Sequence, residues 1–399
     1  MEDMRPLIGC LPLFRMAQAG RDLQALAERL LDQAKRNVNA ANALMDLAWI
    51  FSITGEHSTA VSTQAMALTL QQHFHLPPAT GETGLRLLAL MTPGEYMFNA
   101  PLECLLEGSD VALDLLFLGP DLPFPDQLPP HDLLYVAIRE SKENLPLLRT
   151  LAQRLASHPM PVLNAPGRLP WTARDEASSR LSTVPGLFMP PTVRVTREAL
   201  ETELRERDFP LLVRAVGAHR GLDLMKLDSF VDTAHCLDTM AAPEFYVSPF
   251  VDYRSADGQF RKARVALIDG RPHAVHLAIS DHWMVNFINS HPEMSPAKRA
   301  EEAAFMAGFD ADFAQRHAAA LAGIHERLQL DYVVLDCADA PDDRLLLFEV
   351  DSAAIVHAND PLDLYPHKLP QMRRVFQAFR DMLGRASGRP GGVTSISRP

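Results

Sequence analysis

The sequence predicts a chain of mixed class, α/β and α+β, in three parts followed by a short polar tail. Three observations carry that expectation. Apolar residues recur at helical spacing through residues 21–77, and short apolar runs then alternate with an amphipathic helix through residues 81–165. From about residue 166, β-runs punctuated by turn signals dominate.

The helical part comes first, over residues 1–80. Leu23, Leu26, Leu30 and Leu31 fall at helical spacing, as do Leu44, Leu47, Ala48 and Phe51. Gly55 separates the second segment from residues 58–74, where Ser58 stands as a candidate N-cap. Small residues at Ala48, Gly55, Ala60 and Ala67 suit two closely packed antiparallel helices. Their spacing resembles one tetratricopeptide repeat. A plain helical hairpin fits equally, since one repeat is too short to make a solenoid. These helices are the expected place for a homodimer contact or a peptide partner.

Pro77-Pro78-Ala79-Thr80-Gly81 breaks the pattern. Residues 85–91, 113–118, 133–138 and 161–164 read as strands, and residues 143–157 as a helix. Their alternation predicts a small parallel α/β domain over residues 81–165. The third part, residues 166–384, opens with a helix at 174–181. Strands are expected at 211–215, 244–251 and 261–268, the last turning at Asp269-Gly270 into 273–278. A helix-rich stretch, 296–328, precedes a hairpin of 332–337 with 344–351, and 372–383 forms the last helix. Residues 385–399, rich in Gly, Ser, Pro and Arg, are expected to be a disordered tail.

Composition narrows the function classes. The chain is 47% hydrophobic and 22% charged, ordinary for a soluble globular protein. No run approaches the ~18 apolar residues of a membrane span. The acidic start, Met1-Glu2-Asp3, does not read as a secretory signal, so a cytoplasmic location is expected. A net charge of −12 opposes non-specific binding to phosphate backbones, and no nucleic-acid partner is expected. Cys10, Cys104, Cys236 and Cys337 are scattered without paired spacing, which predicts buried thiols rather than disulfides or zinc ligands.

The strongest constellation is Asp331-Tyr-Val-Val-Leu-Asp336 followed by Leu345-Leu-Leu-Phe-Glu349-Val-Asp351. Side chains alternate along a strand, so Glu349 and Asp351 share a face. Carboxylates gathered on adjacent strands repel unless a cation neutralises them, and magnesium meets that need with hard oxygen ligands. Alone, the same residues fit solvent-facing acids of an ordinary hairpin, and regular hairpin register does not set Asp336 opposite Glu349. A second constellation is Phe209-Pro-Leu-Leu-Val-Arg214-Ala-Val-Gly217-Ala-His219-Arg220-Gly221. Its glycines free backbone N–H groups for phosphate oxygens, although a simple hairpin turn has the same spacing. Between the two lie Glu244-Phe-Tyr-Val-Ser248-Pro249-Phe250-Val251 and Arg261-Lys262-Ala-Arg264. Lys262 and Arg264 share a face, either toward a site or as a solvated basic edge.

In their order and separation, these segments resemble ATP-grasp ligases over residues 85–383. By that resemblance Asp336, Glu349 and Asp351 are magnesium ligands, with Asp351 standing where the family usually has asparagine. Arg214 takes the place of a phosphate-binding lysine, with Gly217, His219 and Gly221 in the loop over the phosphates. Ser248, Pro249, Phe250 and Val251 resemble the adenine-binding strip, although the family's acid near Pro249 is missing. Arg264 resembles the arginine aimed at the reacting phosphate, with Lys262 beside it, and Arg174 a further nucleotide-contacting cation. Residues 276–287, dense in polar and aromatic groups, would lie near the acceptor. The resemblance implies ATP and Mg2+ as cofactors, carboxylate and amine substrates, and amide formation through an acyl phosphate. The substitutions at 214 and 351 keep a second expectation open, a nucleotide-binding scaffold without chemistry. A third is a peptide-binding adaptor working through the amino-terminal helices.

Overall fold

The computed structural model describes residues 6–36, 40–218, 223–285, 294–389 and 391–392. Two compact units divide the chain, one of residues 1–169 with 352–399 and one of residues 170–351.

In the first unit, helices Cys10–Gln18, Leu23–Arg36, Ala41–Ile53 and His57–Leu70 precede a five-stranded sheet. Its strands are β1 (His73–Leu76), β2 (Leu85–Met91), β3 (Val111–Phe117), β4 (Leu133–Val136) and β5 (Val162–Leu163), in the order β1-β3-β2-β4-β5. Strands β2 to β5 pair in parallel, as the alternation of runs and helices predicts. Parallel strands are covered on both faces, which is why β3 and β4 are buried along their whole length. The antiparallel helical hairpin also forms. Gly55 takes φ 88° between its helices, and Ala48, Ala60 and Ala67 are buried along it.

Two expectations here are corrected. The helix begins at His57 with Glu56 in the cap position, so Ser58 is not its N-cap. The helix also ends at Leu70 rather than 74, and His73–Leu76 forms strand β1, antiparallel to β3. The alternation of His73, Phe74, His75 and Leu76 is a period of two: Phe74 is fully buried, and both histidines contact Asp114 on β3. At the other end of the chain, helix Lys368–Ala386 continues past Arg385, where the tail was expected to begin. Residues 390 and 393–399 of that expected tail lie outside the described residues.

The second unit carries two sheets. Strands β6 (Leu187–Phe188), β7 (Val193–Thr196), β8 (Leu211–Ala215), β9 (Leu224–Leu227) and β10 (Glu244–Pro249) come first. Then follow β11 (Phe260–Ile268), β12 (Arg271–Ser280), β13 (Tyr332–Asp339) and β14 (Leu345–Asp351). One sheet has the order β7-β10-β8-β9 and is antiparallel throughout. Its core gathers Leu200, Leu204, Leu211, Val213, Phe245 and Val247. Because Leu211, Val213 and Ala215 point into that core, Leu212 and Arg214 are left on the other face of β8.

The other sheet has the order β12-β11-β13-β14-β6, antiparallel except for β14 with β6. The turn at Asp269-Gly270 holds both residues at positive φ, 50° and 73°, as a tight two-residue hairpin requires. Helix Pro296–Gly308 packs on β12, the strand at one end of this sheet. Its fully buried Glu302 accepts a hydrogen bond from the Leu277 backbone N–H at 3.2 Å, capping a donor of that outer strand. All four cysteines are buried thiols, as their spacing predicts. No helix among the described residues is long and apolar enough to cross a membrane.

The start of helix Cys10–Gln18 is held by two acids. Asp46, fully buried, accepts from the Ile8 and Gly9 N–H groups at 3.1 and 3.2 Å, and Glu103 accepts from the Leu11 N–H at 3.1 Å. Gly9 sits at φ 94°, and a Cβ there would come within 2.7 Å of the Glu103 carboxylate. Burial pushes the Glu103 carboxyl up to about 7, against the backbone N–H groups that favour its charge. A raised folded pKa favours the neutral form. Its stabilising effect is therefore complete below about 4.5 and lost as pH rises through about 7. Glu103→Gln should remove this dependence, so its stability relative to the parent should rise by roughly 2–3 kcal/mol from pH 4 to pH 8. Urea midpoints of both proteins at the two pH values test this; a constant difference between them refutes it.

Candidate active site

The site is built across the strands of the five-stranded sheet. Arg264 on β11 stands opposite His276 on β12 and opposite Asp336 on β13, and Asp336 stands opposite Glu349 on β14. Directly paired residues of antiparallel strands share a face. His276, Arg264, Asp336 and Glu349 therefore form one transverse row of ionisable groups.

Two irregularities make the row. In the β13–β14 hairpin Asp339 faces Leu345, and regular pairing from there would set Asp336 against Phe348. A β-bulge at Phe348 moves Glu349 into that place. This corrects the expectation that hairpin register keeps Asp336 and Glu349 out of line. The β11–β12 hairpin behaves alike. Regular pairing from Ile268 and Arg271 would set Arg264 against Val275, and a bulge there brings His276 opposite instead.

Asp336 is 7% exposed and fully engaged. Arg264 reaches Oδ1 with Nε at 2.8 Å and Oδ2 with Nη2 at 3.1 Å, and the Lys262 ammonium lies 3.0 Å from Oδ2. Burial alone pushes the Asp336 carboxyl up; the charges of Arg264 and Lys262 override it and hold the group well below the usual carboxylate range. Burial likewise works against the Arg264 cation. Asp336, and after it Asp351 and Glu349, more than offset that and keep it charged. The fields of all three carboxylates thus meet on one guanidinium. Arg174 closes the row's other end, 2.6 Å from Glu349 Oε1, with Nη1 donating to the Phe348 carbonyl at 3.1 Å.

Beside the row lies an aromatic cluster. Phe348, the bulged residue, packs 4.9 Å from Tyr253, which packs 5.0 Å from Phe260 and donates its hydroxyl to the Trp283 carbonyl at 3.0 Å. Phe250 meets Trp283 edge-on at 5.6 Å, and the Lys226 ammonium stands 4.6 Å from the Phe250 ring. The segment Ser248–Pro249–Phe250–Val251 runs off the end of β10 into these rings, with Val251 and Phe348 packed on the same cluster.

The structure thus gathers Arg174, Lys262, Arg264, Asp336, Glu349 and Asp351. Arg214 stands on the four-stranded sheet opposite Tyr246, and Gly217 follows at φ 84° with open space around it. His219 and Gly221 lie outside the described residues, as do Asn286 and Phe287 of the polar–aromatic stretch. Sequence reasoning missed three parts of the site. Glu302 gave no signal, because its partner His276 comes from another element. Phe348 and Tyr253 lie in segments the sequence singles out, but nothing in their spacing marks an aromatic cluster.

The carboxylates do not fit a magnesium site as they stand. Both Asp336 oxygens are taken by Arg264 and Lys262, and Glu349 is held by Arg174. Among the described residues, no three His, Cys, Asp or Glu side chains are grouped so as to hold a metal ion.

No family model and no curated protein matches the chain. Solved structures do. The chain is similar to an ATP-complexed D-alanine–D-alanine ligase from Bacillus anthracis, with 14% identity, 76% of this chain and 96% of that one covered, and a TM-score of 0.46. It is similar to the VanG D-Ala:D-Ser ligase from Enterococcus faecalis, with 10% identity, 76% and 99% covered, and a TM-score of 0.48. A RimK domain ATP-grasp protein from Sphaerobacter thermophilus follows, with 15% identity, 74% and 99% covered, and a TM-score of 0.42. With each of these scores below 0.5, the function proposed for the chain rests on its own residues.

Asp336→Asn should leave Arg264 and Lys262 without their counter-charge and destabilise the fold by about 2–4 kcal/mol. Urea unfolding at pH 7 measures it. A loss below ~0.5 kcal/mol would show that the three groups do not hold one another.

Proposed function

We propose that this chain is an ATP-dependent ligase that joins a carboxylate to an amine through an acyl phosphate. One observation carries the reading: three cations, Arg174, Lys262 and Arg264, are fixed by carboxylates along a row bordered by an aromatic cluster. Phosphoryl transfer asks chiefly for positioning and charge stabilisation, with no nucleophilic side chain. Cations already oriented by carboxylates supply that stabilisation without reorganising during the reaction.

In this reading the adenine rests against the strip Ser248–Pro249–Phe250–Val251, with its face toward the apolar rings. Arg214 and the loop containing Gly217, His219 and Gly221 take the phosphates nearer the base. Arg264 and Lys262 meet the transferring phosphoryl group. The substrate carboxylate attacks the γ-phosphorus and ADP leaves; the amine then attacks the acyl carbon and phosphate leaves. Magnesium accompanies ATP and needs only one or two protein carboxylates. Glu349 would have to exchange Arg174 for the metal to serve as one of them.

The engagement of both Asp336 oxygens by protein cations favours a second reading, a nucleotide-binding scaffold without turnover. The two differ in product. The ligase releases ADP and phosphate from Mg·ATP when given a matching acid and amine; the scaffold binds Mg·ATP and leaves it intact. For the ligase, Arg264→Ala should lower kcat about 10²- to 10³-fold per folded molecule, read by coupled ADP detection. Turnover that survives both Arg264→Ala and Glu349→Ala at parental rate overturns the assignment.

A further inference from the structure

Outside the groups just used, the row has one more member. His276 stands directly opposite Arg264, on the side away from Asp336 and Glu349. Its Nδ1 is hydrogen-bonded to Glu302 Oε1, and the same oxygen accepts the Leu277 backbone N–H at 3.2 Å. Glu302 is fully buried, and the His276 side chain is 18% exposed. A carboxylate held by a backbone N–H and bonded to Nδ1 fixes the tautomer of an imidazole. With Glu302 ionised and the ring neutral, Nδ1 carries the proton and Nε2 the lone pair.

From this geometry we infer that His276 is the proton acceptor of the site, positioned by Glu302, and that it takes the proton released when the amine forms the amide bond. The inference rests on the ligase reading and names a residue for a step which that reading leaves unassigned. In that step the amine lone pair forms the C–N bond. The acyl C–O bond breaks, phosphate leaves with the electron pair, and the nitrogen's surplus proton passes to Nε2. Arg264 lies between His276 and Asp336, so the row orders the chemistry. The phosphoryl group belongs at Arg264, and the attacking nitrogen on its His276 side.

The surrounding charges suit a base. From β11, the cations Lys262 and Arg264 share its face, and Arg261 is paired with Glu301. From helix Pro296–Gly308, Glu302 is the acid on Nδ1, while Lys298 is paired with Asp281 and Arg299 donates to the Met294 carbonyl. The cations oppose protonation and Glu302 favours it. The arrival of phosphate charge at Arg264 tips the balance toward uptake.

Nitrogen-15 spectra of the full chain with labelled histidine test this, the His276 signals being those absent from His276→Asn. The expected imidazole is neutral at pH 7 with its proton on Nδ1. Saturating Mg·ATP should raise its titration midpoint by about one pH unit, and Glu302→Gln should mix the tautomers. Mg·ATP binding is measured separately by calorimetry on the parent and on His276→Asn, which should agree within twofold. A proton on Nε2, an imidazolium persisting at pH 8, or a midpoint indifferent to bound Mg·ATP overturns the inference and leaves the nucleotide reading standing. Failure of the parent to bind Mg·ATP overturns both.

Discussion

The carboxylate of Asp336, buried between Arg264 and Lys262, is the interaction on which the candidate site depends. A carboxylate so far from water is costly unless cations answer it, and two cations so close are costly without the acid. Each therefore holds the others in the charged state. That mutual dependence fixes the face of β11 that looks into the site. Through strand pairing it also fixes where His276 and Glu349 must stand. The aromatic cluster is positioned by the same strands, since Phe348 is the residue displaced to bring Glu349 into line.

How much of this was legible in the sequence follows from the range of each force. Strands β8 and β10 to β14, the Asp269-Gly270 turn and the helix at Arg174–Leu181 are written in local periodicity and turn chemistry and form where expected, whereas the short strands β6, β7 and β9 carry no such signal. The same-face relation of Lys262 with Arg264 follows from alternation alone. Register does not. Whether a strand carries an additional residue is decided by packing between strands, so the bulges at Val275 and Phe348 were invisible, and the alignment of Asp336 with Glu349 read as excluded. Strand β1 failed for a different reason. The alternation of His73 to Leu76 is only four residues long and directly follows a helix, and pairing with β3 makes the segment extended. Arg174 was placed among nucleotide contacts by resemblance; its bond to Glu349 comes from the helix meeting the sheet.

The chain differs from the expected metal centre in how it balances charge. Three acids in the sequence predict a demand for an external cation. In the structure the demand is largely met from within, by Arg174, Lys262 and Arg264. Acidic strands and basic strands were both visible in the sequence, but their neutralising one another depends on the transverse pairing. A row whose charges are already matched presents phosphate with competition rather than a vacancy.

Glu302 has a consequence beyond orienting an imidazole. It also closes a backbone donor on the outer strand of the sheet. Unclosed strand edges invite pairing with other polypeptides. One buried carboxylate therefore does two things at once, holding the His276 imidazole and closing a donor on a strand edge. A lineage that abandoned the chemistry would still have reason to retain this acid, so its persistence alone would not reveal whether catalysis had survived.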